Sequence, residues 1–385
     1  TGRGKLTASQ DYVDVSVAPP SQLKTLTIEG RVEPVGGREA NPDDNSAIVR
    51  VPTVDTGNAH IHLFFLPIDY TDEVKRETEF DQLFPAWVRD QTDFMRAIYP
   101  LPDDRLTSNY TLTPHVPNAL ERTLADSRKG ANQNAITALY STVFLAARRL
   151  DPETTLAVAV LPPRWLTYNY NPRAAGFSAF NVRVTVSGQI GPILDVTAHE
   201  VAHTTDISDD YDYSPGRTFD GFVIDRPGFW VSRGQEMLPK MKGEDVLSFM
   251  GSGNPGFVWI DMRSYDHLLV HYTLSGNGRA SEPLILGAIM SDSARPDGSP
   301  GLFGAGTYFF APDQDVVCIV AGASLKKSDA VEVRWLRGDS QVATDRARAG
   351  GGNQYLPFSQ KFSKTGDYTV EVYLNGNLAK TAHFT

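Results

Sequence analysis

The sequence predicts an α+β domain, a twisted mixed sheet with backing helices, followed by an all-β sandwich. Three observations carry this. Strand and helix patterns alternate between residues 58 and 276. The last strand of that run feeds a buried helix holding the stretch His199-Glu-Val-Ala-His203. From about residue 280 the helical periodicity stops and short strand patterns recur. The 385 residues therefore divide into a β-rich segment 1–57, an α+β domain 58–276 and a sandwich 277–385.

In the first segment, Tyr12–Val17, Lys24–Glu29 and Ala47–Val51 have strand composition and are separated by polar, Gly- and Pro-containing loops. His60–Leu66 reads as a buried strand because its apolar residues run on without alternation. Phe84, Trp87, Val88, Phe94, Met95 and Ile98 then recur at helical spacing, with Pro85 expected near the helix start. Tyr110–Thr113 is expected to be a strand. Ile136, Leu139, Tyr140, Val143, Phe144, Ala147 and Leu150 mark the clearest amphipathic helix. Thr155–Val160 and Asn181–Ser187 are strands, the second with Val at alternate positions. Gly188 and Gly191 break the chain, and Pro192 suits the first turn of the helix that follows. Trp259–Tyr272 closes the domain as a helix. His267 and His271 sit four apart on it, with no acid between them, and read as packing or surface histidines. In the last segment, strands are expected at Leu284–Met290, Thr307–Phe310, Val316–Val320, Val331–Leu336, Tyr368–Leu374 and Leu378–Phe384. Asn375-Gly376 joins the last two by a hairpin turn.

Composition narrows the partners. The formal net charge of −10 argues against nucleic acid and anionic membranes. No apolar run reaches 18 residues, so no helical membrane span is expected. The single Cys318 excludes an internal disulfide. The chain opens on Thr1-Gly-Arg-Gly without Met or a secretory leader, as a trimmed or processed form would.

The chemistry lies in His199, Glu200 and His203. Residues four apart share a helix face, so two imidazoles can grip one metal. Glu200 lies beside them, placed to draw a proton from a water on that metal. Zn²⁺ is the expected ion, and a catalytic zinc takes three protein ligands and leaves one position open. If the helix continues, Asp206 lies on the same face and can be the third. Acidic loops such as Asp209–Asp212 leave Ca²⁺ open, but no calcium-loop repeat supports it. No serine triad is evident.

The run His199–Asp209 resembles the HExxHxxGxxH/D pattern of the metzincin clan of zinc endopeptidases. That resemblance implies Asp209 as third ligand and favours it over Asp206. It also exposes a departure, since Asp206 stands where the clan has Gly. Met250, in Val246–Gly253, resembles the clan's Met-turn beneath the imidazoles. Many clan members carry a Tyr two residues after that Met to stabilise the transition state. Ser252 stands there in this chain, leaving Tyr211, Tyr213 and Tyr265 as substitutes. The strand Asn181, Val182, Arg183, Val184, Thr185 and onward is expected to form the upper rim of the cleft, its free edge pairing with extended substrate. Phe94–Pro100 and Trp259–Leu269 look like segments of large secreted bacterial metalloproteases with Ig-like modules, some acting on mucin-type glycoproteins. Thr365-Gly-Asp-Tyr-Thr-Val-Glu-Val372, with Trp335 as core aromatic, is similar to bacterial Ig-like domains. The resemblance implies a secreted or cell-surface endopeptidase of proteins, glycoproteins included. The alternative is a weak or inactive relative serving as an adhesin or glycan-binding protein.

Overall fold

A computed structural model describes residues 22–31, 46–68, 70–115, 133–162, 176–178, 183–187, 195–210, 228–230, 235–237, 240–241, 244–251, 258–301 and 309–385. The architecture is mixed α/β, rich in sheet, with an all-β sandwich-like region at the C-terminal end.

The first described elements are β1 (Leu26–Arg31) and β2 (Ser46–Val51), an antiparallel pair. The expected Tyr12–Val17 strand lies outside the described residues. A five-stranded sheet follows, from β3 (Ile61–Pro67), β4 (Leu106–Tyr110), β5 (Leu156–Val160), β6 (Gly176–Ser178) and β7 (Val184–Ser187). Its order is β4-β3-β5-β7-β6, parallel except for the last strand, β6. The helices are α1 (Asp72–Glu77), α2 (Phe80–Ile98), α3 (Gln133–Leu150), α4 (Val196–His203) and α5 (Met262–Ser275).

Both faces of the sheet are covered, which explains the unbroken apolar run in β3. Leu63 and Phe65 join α2 and α4 in one core, with Phe84, Trp87, Phe94, Ala198 and Val201. Phe64 and Leu66 face the other way and meet Tyr140, Val143 and Ala147 of α3. Full burial of side chains this size stabilises the sheet by roughly 1.5–3 kcal/mol each.

The sandwich comprises β8 (Leu284–Ser291), β9 (Asp315–Leu325), β10 (Ala330–Arg337), β11 (Ser340–Arg348), β12 (Gly352–Lys361), β13 (Tyr368–Leu374) and β14 (Asn377–Phe384). One sheet runs β8-β9-β12 and the other β11-β10-β13-β14. Trp335 is wholly buried between them, and its Nε1 donates to Asp345 at 2.8 Å. Asn375 and Gly376 both take positive φ (52° and 83°), the backbone of the expected hairpin turn.

Several expectations need correction. Helix α2 starts at Phe80, so Pro85 lies inside it and not at its start. The strand expected at Tyr110–Thr113 ends at Tyr110 and begins at Leu106. It is an edge strand with mostly polar residues, so hydrophobicity does not reveal it. Phe309 and Phe310 are not in a strand, while β11 and β12 carry no expectation from the sequence. Strand β11 is polar on its outer face, and Pro357 interrupts the reading of β12. That proline is tolerated because β12 is the edge strand of its sheet. No helix among the described residues is long and apolar enough to cross a membrane.

Candidate metal centre

Helix α4 is short and is positioned by its neighbours more than by its own propensity. On one side, α2 reaches it twice. The Tyr99 hydroxyl donates to Ala198 O at 2.7 Å, and Gln91 Oε1 accepts from Thr197 N at 3.2 Å. The helix closes with bonds from Thr204 N to Val201 O, Thr205 N to Ala202 O and Asp206 N to His203 O, a tightened last turn. His267, from α5, donates its Nε2–H to Thr205 O at 2.8 Å and satisfies a terminal carbonyl. Asp206 then takes φ +71°, in the left-handed region, and reverses the chain.

That reversal brings Asp209 to the two histidines. His199 Nε2 lies 3.1 Å from Asp209 Oδ1, His203 Nε2 lies 3.3 Å from it, and the two Nε2 atoms are 3.1 Å apart. Four-coordinate zinc with bonds of 2.0–2.1 Å separates its donors by about 3.3–3.4 Å, so the triangle fits such an ion. The orientation of the rings fits as well. His199 Nδ1 bonds to Phe249 O and His203 Nδ1 to Ile207 O, each at 2.8 Å. A carbonyl only accepts, so both Nδ1 atoms carry the proton and both Nε2 lone pairs face the centre. Asp209 Oδ1 is buried without a hydrogen-bond donor. Three acceptors therefore converge on one point, an arrangement that requires positive charge between them. His199, His203 and Asp209 thus form a group able to hold a metal ion.

The electrostatics agree. Burial pulls the His199 pKa down, but the carboxylates of Asp209 and Glu200 beside it outweigh this and raise it to about 10. Burial pushes Asp209 up, yet the two imidazoles beside it hold it well below the usual carboxylate range. Glu200 is buried, and burial lifts it to about 7 against the pull of His199 and His203. Its Oε2 has no hydrogen-bond partner.

Met250 is fully buried in the core that contains Ala198, Val201 and Ala202 of α4. Its contribution also runs through the backbone. Gly251 N bonds to Ser248 O at 2.9 Å, closing a turn over Ser248–Gly251. Phe249 O holds His199, and Met250 O accepts from Asp210 N at 3.1 Å. The turn is tied to α5 through Asp261, the N-cap of that helix. Asp261 Oδ2 accepts from Ser248 and Ser264 hydroxyls, both at 2.6 Å, and Oδ1 accepts from Arg263 N and Ser264 N. Asp210 lies close by, with Arg263 at 3.6 Å, and burial pushes it up to about 7.

The remaining candidates fare differently. Asp206 is not in the donor triangle; its carboxylate bonds to Arg295 at 2.9 Å. Strand β7 is not a free edge, because it lies between β5 and β6 with Val184 and Thr185 buried. Arg183 is exposed, and Asn181 and Val182 lie outside the described residues. The strand beside Glu200 is β6. A Cβ on Gly176 would stand 2.6 Å from Glu200 Oε1, so only glycine lets the strand pass this close. Tyr265 belongs to α5, and among the described residues no bond joins its hydroxyl to the centre. Tyr211, Tyr213 and Ser252 lie outside the described residues. His267 and His271 are packing histidines, as expected. Sequence reasoning missed Gly176, Arg295, Gln91, Tyr99 and Asp261. None of these sits in a motif, and only the ASP-x-x-Ser cap of α5 had a local signal.

No protein-family model matches the chain, and no curated protein matches it. Among solved structures it is similar to wild-type OgpA from Akkermansia muciniphila, at 12% identity and a TM-score of 0.29, covering 86% of this chain and 94% of that one. Catalytically inactive OgpA in complex with an O-glycopeptide gives 12% identity and 0.30 over the same shares. A β-glucosidase from Listeria innocua gives 7% identity and 0.18, covering 85% of this chain and 46% of that one. Superpositions this loose define no common fold, so the centre is interpreted from its own residues.

Proposed function

We propose that the chain is a metal-dependent endopeptidase with His199, His203 and Asp209 as ligands, Glu200 as general base, and a metzincin-like arrangement of residues 58–276. The observation that carries this reading is the convergence of three acceptors beside the buried Glu200, whose Oε2 has no hydrogen-bond partner. Zinc, the ion that suits two imidazoles and one carboxylate, would polarise a scissile carbonyl and acidify an attacking water when bound. Glu200 takes a proton from that water as the oxygen adds to the carbonyl carbon. It then returns the proton to the amine nitrogen as the C–N bond breaks. A pKa near 7 suits both tasks, since the group must accept and release a proton at neutral pH. In this reading residues 277–385 form a sandwich that backs the catalytic part, and 1–57 a β-rich extension of it. Substrates are proteins, O-glycosylated ones included, which an enzyme of this kind meets outside the cell, as the metzincin resemblance implies.

The adhesin alternative rested on Asp206 in place of glycine and on the absent Tyr. Asp206 adopts the left-handed turn nonetheless, and Asp209 reaches the histidines, which supports the endopeptidase reading. The test is metal analysis of the full chain with digestion of casein, mucin and an O-glycopeptide. Cleavage that a chelator stops, that zinc restores and that Glu200→Ala abolishes supports the endopeptidase. Bound zinc without cleavage of any of the three supports the adhesin.

A further inference from the structure

The loop after β8 brings one cation to the end of the active-site helix. Arg295 Nη2 donates to Asp206 Oδ2 at 2.9 Å across 89 positions of sequence. Asp206 is the residue at φ +71° that turns the chain from α4 into Ile207–Asp209. That backbone is disfavoured for a residue with a Cβ, although Asp adopts it more readily than most. It persists only where surrounding contacts hold it. Two further contacts depend on it, the His203 bond to Ile207 O and the approach of Asp209 to both histidines.

Arg295 is itself held by the sandwich. Its N–H donates to Ser299 O at 2.8 Å, Gly298 N returns to Arg295 O at 2.9 Å, and Ala294 bridges to Pro300. This tight loop rests on β12, because a Cβ on Gly298 would stand 3.0 Å from Tyr355 O and 3.2 Å from Pro357. The Tyr355 hydroxyl lies in the field of Asp297, Arg295 and Asp206, which gathers the four side chains into one cluster.

We infer that Arg295 is a positioning residue of the metal centre, supplied by the sandwich, which clamps Asp206 in its left-handed turn and so delivers Asp209 to the ion. This rests on the metal-centre reading above. It makes the sandwich part of the site, not a spacer beside it. It also yields a specific reciprocity. Glycine occupies the left-handed region without a clamp, so Asp206→Gly makes Arg295 dispensable.

The experiment measures Co²⁺ affinity of the chelator-stripped full chain by competition with a chromophoric chelator, alongside the visible spectrum of the bound cobalt. The variants are Arg295→Ala, Arg295→Lys, Asp206→Gly and the Asp206→Gly/Arg295→Ala pair, each also melted by circular dichroism. The clamp predicts at least a fivefold loss of affinity and an altered spectrum in Arg295→Ala, with partial recovery in Arg295→Lys. The double variant should bind within twofold of Asp206→Gly alone. If Arg295→Ala fails to fold, a double variant that folds and binds like Asp206→Gly still supports the clamp. Equal affinity of Arg295→Ala and native protein overturns it, as does a double variant that fails to fold or binds as weakly as Arg295→Ala. Those results leave the metal-centre reading intact, whereas a native chain that takes up no cobalt ends both.

Discussion

At the residue scale, Glu200 is set by its surroundings. It is buried by α4 and by the passage of β6, and both consequences can be measured. Glu200→Gln keeps the shape and removes the carboxylate proposed as the base. It should lower turnover by about 10²–10⁴-fold, the usual share of general acid–base catalysis, while metal content stays unchanged. Gly176→Ala attacks the same group from outside, because the new methyl would stand 2.6 Å from Glu200 Oε1 and 2.7 Å from Val186 O. We expect turnover to fall by an order of magnitude or more with metal affinity unaltered, since neither atom belongs to the donor triangle. Loss of metal together with activity in Gly176→Ala would refute this placement. His271 gives a prediction about acid. Burial lowers its pKa to about 4, with His267 adding to the shift and Asp206 opposing it. An imidazole in the unfolded chain takes its proton near pH 6.5. The unfolded state therefore binds more protons between those values, and stability falls as the pH drops from about 6.5 towards 4. Asp266 works in the opposite sense over part of that range, its carboxyl raised to about 6 by burial against the pull of Lys380. The comparison of Tm at pH 7 and pH 5 in His271→Gln separates the two. The native drop should shrink in the variant.

At the scale of elements, the centre is a joint between α2, α4, α5 and the turn Ser248–Gly251. The run from Asp261 shows how far a small change would travel. Its carboxylate caps α5 and binds Ser248, whose hydroxyl accepts from Met250 N at 3.2 Å, and the adjoining Phe249 carbonyl orients His199. Burial would raise Asp261, but Arg263 and the two serine hydroxyls hold it ionised, below the ordinary carboxylate range. Asp261→Ala leaves two buried hydroxyls and two helix N–H groups without an acceptor. The cost should be about 3 kcal/mol by denaturant unfolding, with weaker metal binding as a second effect. A variant with full stability and weakened metal binding would show that the cap matters less than the turn. HExxH, the Met-containing turn and the amphipathic α2 and α3 were all legible in the sequence. The edge strand was not. The sequence pointed to β7, since its alternating valines look like a half-buried rim. In the folded sheet the preceding three-residue strand, β6, covers that rim, and nothing in Gly176–Ser178 itself announces a strand.

At the scale of the whole molecule, the sandwich and the α+β part share a core. Val270, with Leu269 and Leu274, packs from α5 against Leu286, Ile289, Val317 and Ile319 of β8 and β9. Lys380 on β14 reaches Asp266 on α5 at 2.6 Å. This explains a feature of β9 that the sequence displayed. A strand with one face in water alternates, whereas Val316–Ala323 is buried on both sides, one towards Trp335 and the other towards α5. Val270→Ala should cost about 2 kcal/mol. It should lower protection of β5 and of β13 alike in hydrogen exchange, because the shared core couples their opening. Protection lost in only one of the two would mean that they open independently.

The sequence by itself marked the cluster His199, Glu200 and His203 and the order of a mixed α/β part followed by an all-β part. Local spacing is enough to put two imidazoles on one helix face and to mark buried strands and amphipathic helices. Tertiary structure placed Asp209 and not Asp206 beside the two imidazoles, put β6 and not β7 at the sheet edge beside Glu200, and set Arg295 against the end of α4. Those choices depend on backbone dihedrals and on contacts between residues 24 to 89 positions apart, such as Gly176 with Glu200 and Asp206 with Arg295. No periodicity in the chain encodes such pairs, because each is fixed only when separate elements close on a common core.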